Sequence, residues 1–78
     1  MARCVMYGTS WCGDTRRSRA LLEAHGVDYE WHDIDEEPEH VDTVIGYAGK
    51  RKVPVIVFVD GSCLVEPADE ELAAKLGL

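Results

Sequence analysis

Val53-Pro54-Val55-Ile56-Val57-Phe58-Val59 is a nearly continuous apolar run in a chain of 78 residues. A strand without polar alternation reads as one buried on both faces, so other elements must cover it from two sides. Asp60-Gly61 follows at once and signals a hairpin. Ser62 to Glu66 then reads as the return strand.

The rest of the chain supplies the cover. Residues 3–8 read as a short buried strand that Gly8 ends. Residues 14–25 read as a helix, with Leu21, Leu22 and His25 at helical spacing and Gly26 as the stop. Val27 to Ile34 reads as a second strand, with Val27, Tyr29 and Trp31 on one face by alternation. Asp35-Glu36-Glu37-Pro38 introduces a further helix, with Pro38 early in it. Its apolar face is Val41, Val44, Ile45 and Ala48, and Gly49 ends it. Pro67-Ala68-Asp69 opens a last helix with Leu72, Ala73, Leu76 and Leu78 on its inner side. The order is β-α-β-α-β-β-α, an α/β fold in one domain spanning 1–78.

Hydrophobic residues make up 46% of the chain, enough for one core and too many for disorder. Eight Lys and Arg against fifteen Asp and Glu leave a formal charge of −7, which argues against a nucleic-acid partner. Two basic spots remain, Arg16-Arg17 with Arg19 and Lys50-Arg51-Lys52. They are read either as a rim around one site, suited to a small anionic thiol or an acidic partner, or as ordinary surface charge. No apolar run approaches the roughly 20 residues of a membrane span. Met1-Ala2-Arg3 leads straight into a strand, with no signal peptide visible. A soluble, cytoplasmic, monomeric protein with no membrane partner is therefore expected.

Cys12 carries the chemistry. It sits in Trp11-Cys12-Gly13-Asp14-Thr15, between the first strand and the first helix. A cysteine at a helix start meets the partial positive charge of unpaired backbone N–H groups. That field favours the nucleophilic thiolate. Trp11 can cover one side of the sulfur, Gly13 allows a tight turn into the helix, and Thr15 can donate a hydroxyl hydrogen bond to it. Asp14 opposes the thiolate, and Arg16 and Arg17 can offset Asp14. The redox motif expected in this setting is Cys-x-x-Cys. Thr15 stands at its second cysteine, so the local disulfide cannot form. Cys4 reads as a core residue. Cys63 lies in the return strand, where it faces either the core or the active-site edge; at that edge it would be a remote resolving thiol. None of His25, His32 and His40 pairs with a cysteine at metal-ligand spacing, and no metal site is expected.

The element order, the helix-start cysteine and Val53-Pro54 at the head of the third strand resemble the thioredoxin superfamily. The size and the missing N-terminal βα extension resemble its glutaredoxin branch. Within that branch, several stretches resemble the mycoredoxins of actinobacteria. They are Met6 to Gly13, Asp33 to Pro38, Val53-Pro54, and Asp60-Gly61-Ser62 leading to Glu66-Pro67. The resemblance implies a thioredoxin-like, glutaredoxin fold with a four-stranded mixed sheet of order 2-1-3-4 and three helices, the first and third on one face. It implies a cis bond before Pro54 beside Cys12, with the Val53 backbone turned toward substrate. Thr9 replaces a cofactor-binding lysine of many glutaredoxins, and Val65-Glu66 replaces paired glycines that approach glutathione.

The resemblance therefore implies a thiol–disulfide oxidoreductase that attacks mixed disulfides through Cys12 alone. Trp11, Gly13, Asp14, Thr15 and Arg16 support the sulfur. Thr9, Val53, Pro54, Val65 and Glu66 face the bound thiol. No cofactor is covalently held; the co-substrate is a low-molecular-weight thiol, mycothiol in preference to glutathione. Two alternatives stand beside this one. Two protomers holding an iron–sulfur cluster through Cys12 and two small thiols would make the chain a cluster carrier. Use of the Val53-Pro54 groove without turnover would make it a binding module.

Overall fold

The first strand, β1 (Cys4–Gly8), alternates between two cores. The structure, a computed structural model, describes residues 2–78; Met1, which opens the N-terminal stretch read above, lies outside them. Cys4 and Met6 point to one face, where they meet Leu22, Ile56 and Leu72. Tyr7 points to the other and packs with Ile34, Val44 and Val55. β1 is therefore central. It pairs in parallel with β2 (Tyr29–Asp33), from Cys4 opposite Tyr29 to Gly8 opposite Asp33. On its other side it pairs antiparallel with β3 (Val55–Phe58), which pairs antiparallel with β4 (Cys63–Val65). The order is β2-β1-β3-β4, as expected. Helices α1 (Gly13–Ala24) and α3 (Asp69–Leu76) cover the Met6 face, and α2 (Val41–Ala48) covers the Tyr7 face.

The apolar run is a shorter strand than its composition suggests. Val53 and Pro54 precede β3, and Val59 is 86% exposed. The turn explains Val59. Gly61 N–H donates to the Phe58 carbonyl at 2.9 Å, so Val59 and Asp60 are its central residues. Gly61 follows in the left-handed region (φ +86°), the geometry of a type I turn closed by a glycine bulge. The expected Asp60-Gly61 centre is thus one residue late. Asp60 braces the turn by accepting from the Ser62 hydroxyl and amide and from Lys75. Those contacts, the Ser62 hydroxyl foremost, hold its carboxyl down to about 2.

Three further residues expected on inner faces lie outside. His25 is exposed because α1 ends at Ala24; Gly26 (φ +63°) turns the chain and Val27 N–H bonds the Leu22 carbonyl at 2.9 Å. Ile45 and Leu78 are also exposed. A short 3₁₀ turn, Pro38–His40, leads into α2 and takes Pro38 out of the helix proper. Facing inward from α1 are Thr15, Ser18 and Leu22. The two hydroxyls, like that of Thr9, are buried and without a hydrogen-bond partner among the described residues.

These small side chains let α1 lie close on β1. A Cβ added at Gly8 would stand 2.5 Å from Thr15 Cγ2 and 2.8 Å from its Oγ1, with Trp31 at 3.2 Å. Gly8→Ala is therefore expected to lose about 1–3 kcal/mol in urea unfolding, the usual cost of overpacking. Most of that loss should vanish in a Thr15→Ala background, where the two closest atoms are gone. Equal costs in both backgrounds would show that the two residues do not press on each other.

Candidate active site around Cys12

Cys12 is the N-cap of α1 (φ −75°, ψ 125°), and its carbonyl accepts the Arg16 N–H at 3.0 Å. No side chain caps this helix start. Serine, threonine or aspartate commonly places an oxygen over the first-turn N–H groups; here the N-cap residue is a half-buried cysteine that makes no such bond. The first-turn N–H groups and the positive end of the helix dipole suit an anion.

The supporting residues divide by face. Thr15 is buried against Gly8, and its hydroxyl makes no hydrogen bond to the sulfur, contrary to expectation. Its place in the third helical position turns it down onto β1 rather than out at the helix end. Gly13 has helical geometry and open space around it, so the tight entry does not depend on its being glycine. Asp14 is taken up by Arg17 at 3.1 Å, and Arg17 also reaches Asp69 at 3.6 Å. Arg16 is exposed, and its side chain has no ionic or hydrogen-bonded partner among the described residues.

The expected thiol-binding residues are partly assembled. The Val53–Pro54 bond is cis. Val53 has no backbone hydrogen bond among the described residues, so its N–H and C=O are available to a ligand, while the Pro54 carbonyl accepts from Glu66 N–H at 2.9 Å. Val65 is half-buried at the end of β4. Glu66 follows with a positive φ of 49°, a conformation unusual for a residue with a Cβ. Its carboxylate meets Lys52 at 3.4 Å. Thr9 does not belong to this surface: its side chain is fully buried, and only its carbonyl takes part, accepting from Cys12 N–H at 3.3 Å.

Asp35 ties the site together. One oxygen accepts from the exposed Trp11 indole at 2.7 Å, and the other accepts from Arg51 at 2.8 Å. It thereby links the loop before Cys12, the turn after β2 and the segment leading to Val53. The sequence reading treated Asp35 only as a helix opener, although it falls in one of the stretches of family resemblance. The basic rim is largely spent in such pairs. Arg17, Arg51 and Lys52 face carboxylates, and Arg19 lies over the Trp31 ring at 4.0 Å. Of the two basic spots, Arg16 and Lys50 alone lack a partner among the described residues.

The other cysteines stand apart. Cys4 is in the core, where burial pushes its thiol pKa up and Arg3 only partly opposes this. Cys63 lies opposite Val57, which lies opposite Val5. Two strand spacings of about 4.8 Å separate Cys63 from β1, at a level four residues before the Thr9–Cys12 loop begins. A disulfide needs Cα atoms within about 7 Å, so Cys63 is not placed to resolve Cys12. A hollow of about 360 Å³, lined by Arg3, Phe58, Asp60 and Lys75 among others, lies at the far end of the sheet. The three histidines are not equally scattered: His32 and His40 come together with ring centroids 4.4 Å apart.

A single mixed sheet covered by helices on both faces, with an uncapped helix start occupied by a cysteine and a cis-proline just before β3, defines a thiol protein of the thioredoxin fold. The glutaredoxin family model matches residues 4–64, and the chain belongs to that family. A Mycobacterium tuberculosis protein named provisionally as a glutaredoxin is 40% identical, over 96% of this chain and 90% of its own length. Mycoredoxin 1 of Corynebacterium glutamicum is 31% identical, over 97% and 95%. Among solved structures, a glutaredoxin from Archaeoglobus fulgidus superposes with a TM-score of 0.84 at 31% identity, over 97% of this chain and 87% of that one. Methanoredoxin of Methanosarcina acetivorans shares the fold, with a TM-score of 0.85 at 23% identity, over 99% and 86%. The chain is a glutaredoxin-like thiol–disulfide oxidoreductase with a thiol co-substrate.

Asp35→Ala should release both Trp11 and Arg51. Both contacts are exposed, so the stability loss should stay below about 1 kcal/mol. Tryptophan emission should shift, and KM for a mixed-disulfide substrate should rise about fivefold, the equivalent of about 1 kcal/mol. Unchanged emission and unchanged KM would remove Asp35 from the site.

Proposed function

We propose that this protein is a monomeric, cytoplasmic oxidoreductase that reduces mixed disulfides between proteins and a small thiol, using Cys12 alone. The observation that carries this reading is the isolation of Cys12: Thr15 stands where a resolving cysteine would be, Cys4 is in the core, and Cys63 is across the sheet.

The reaction is two exchanges. The Cys12 thiolate attacks the small-thiol sulfur of the mixed disulfide; the new S–S bond joins Cys12 to the small thiol, and the protein sulfur leaves as thiolate and takes a proton. A second small thiolate then attacks the small-thiol sulfur held on Cys12. The two small thiols leave as a disulfide, and Cys12 returns as thiolate. The helix start stabilises the Cys12 thiolate as nucleophile and as leaving group. The unpaired Val53 backbone offers a donor and an acceptor to the bound thiol's amide groups. Arg16 offers the departing protein thiolate a cation.

Mycothiol is the favoured small thiol. The similarity to mycoredoxin 1 supports it. So does the rim: Lys52 is paired with Glu66, Arg51 with Asp35, and Thr9 is buried, which leaves few cations for the two carboxylates of glutathione.

Cys12→Ser should abolish exchange, while Cys4→Ala and Cys63→Ser should keep most of it. Thr15→Cys should acquire an internal disulfide on oxidation, visible by mass spectrometry after thiol alkylation, because the pair would then have the Cys-x-x-Cys spacing at a helix start. Activity surviving in Cys12→Ser would overturn the single-thiol route.

One protein substrate carrying either small thiol tests the preference. The expected result is a kcat/KM at least about tenfold higher with mycothiol, or about 1.4 kcal/mol of differential binding. Equal or better turnover of the glutathione form would reverse the assignment.

A further inference from the structure

His32, Glu37 and His40 converge on the face of the sheet that carries Tyr7. Glu37 Oε1 lies 3.1 Å from His32 Nδ1 and 3.3 Å from His40 Nε2. All three donor atoms lie within 4.8 Å of one another. In a tetrahedral zinc site with bonds of about 2.0–2.1 Å, neighbouring ligand atoms are about 3.3–3.4 Å apart. Two edges of this triangle already have nearly that length. The donor set, two imidazoles and a carboxylate, is also one that zinc takes.

The surroundings argue for the same use. The second nitrogen of His32, Nε2, faces Glu30 Oε2 at 2.6 Å. A metal-bound histidine commonly gives its other N–H to a carboxylate, which orients the ring and strengthens the ligand. Tyr7 forms the floor, stacked on His32 with centroids at 5.4 Å and tilted under His40 at the same distance. Glu37 caps the 3₁₀ turn and His40 ends it, and in such a turn side chains three residues apart eclipse and share a face. The backbone thus fixes two ligands and the strand fixes the third.

We propose that His32 Nδ1, Glu37 Oε1 and His40 Nε2 form a zinc site, with Glu30 as the partner that orients His32 and with water as the fourth ligand. The ion takes the place between Glu37 and the two rings. It closes the chain from the end of β2 to the start of α2, the turn that carries Asp35. The site is separate from Cys12 and uses none of its chemistry.

Cobalt(II), as a spectroscopic substitute for zinc, tests this in the untagged Cys12→Ser/Cys63→Ser protein, which removes the two accessible thiols. The expected result is saturable uptake of one ion per chain, with visible bands of tetrahedral or five-coordinate cobalt and no thiolate charge-transfer band, reversed by zinc. Glu37→Gln and His40→Gln should each weaken binding at least about tenfold, and Glu30→Gln by about 10- to 100-fold. Zinc should raise the urea midpoint of the parent and leave that of His40→Gln where it was, which keeps the test meaningful if a variant is less stable. No saturable uptake at cobalt concentrations well above the protein's, or uptake that His40→Gln leaves unchanged, would overturn the site. Neither result bears on Cys12, whose role is read from exchange activity alone.

Discussion

The closeness of α1 to β1 at Gly8 is the constraint on which the site depends. A helix normally stands off a sheet by the length of its inward side chains. Here Thr15 lies where a Gly8 Cβ would be, so the first turn of α1 sits directly on the end of the central strand. The four residues between strand and helix, Thr9 to Cys12, then have one short path to follow, and it delivers Cys12 as the N-cap. Placing a cysteine at the uncapped helix start is thus a consequence of packing. The buried hydroxyls of Thr9, Thr15 and Ser18 show the same preference for small volume over polar satisfaction, since burying an unpaired hydroxyl costs roughly 1–3 kcal/mol in proteins.

Charge is arranged around that frame to hold loops rather than to attract anions. A chain of net charge −7 has few cations to place. Arg51 and Lys52 serve Asp35 and Glu66, and Arg17 serves Asp14 and Asp69. Each such pair at an exposed position is worth little in stability. Asp35 matters for another reason: it joins Trp11 to Arg51 across the groove, so two segments distant in sequence take one fixed relation beside Cys12. The cost of that arrangement falls on ligand choice, because a cation that holds a loop does not also hold a carboxylate.

Much of this was legible in the sequence, and the failures have physical causes. Strand and helix periods gave the element order, because each element buries one face or two. The helix-start cysteine was readable because strand, turn and helix signals are adjacent in the chain. Val59 was misread because composition does not show where a hairpin turns; a glycine bulge moved the turn back by one residue. Thr15 was assigned to the sulfur from its spacing along the helix, but spacing does not show which side of a first turn meets the sheet. Thr9 was assigned by position in a family pattern, and burial removed it. Asp35 and the His32–Glu37–His40 cluster depend on a turn whose shape is set by a 3₁₀ segment, and no periodicity announces that shape.

Thr15 is where packing and chemistry become inseparable. A second cysteine at that position would have to fit the same gap above Gly8 and also reach Cys12. Threonine fills the gap with a methyl group and a hydroxyl, and neither takes part in exchange. Under the proposed single-thiol route, the energetic work of releasing Cys12 then passes from the protein to the second small thiol. On this proposed route that thiol comes along the edge that carries the Val53 backbone and Glu66, while Thr15 stays packed on Gly8 of β1. Under the same proposal, the edge that carries Glu66 in the left-handed conformation, paired with Lys52, is the one the co-substrate meets. The proposed preference among small thiols then rests on what that edge refuses as much as on what the Val53 backbone accepts.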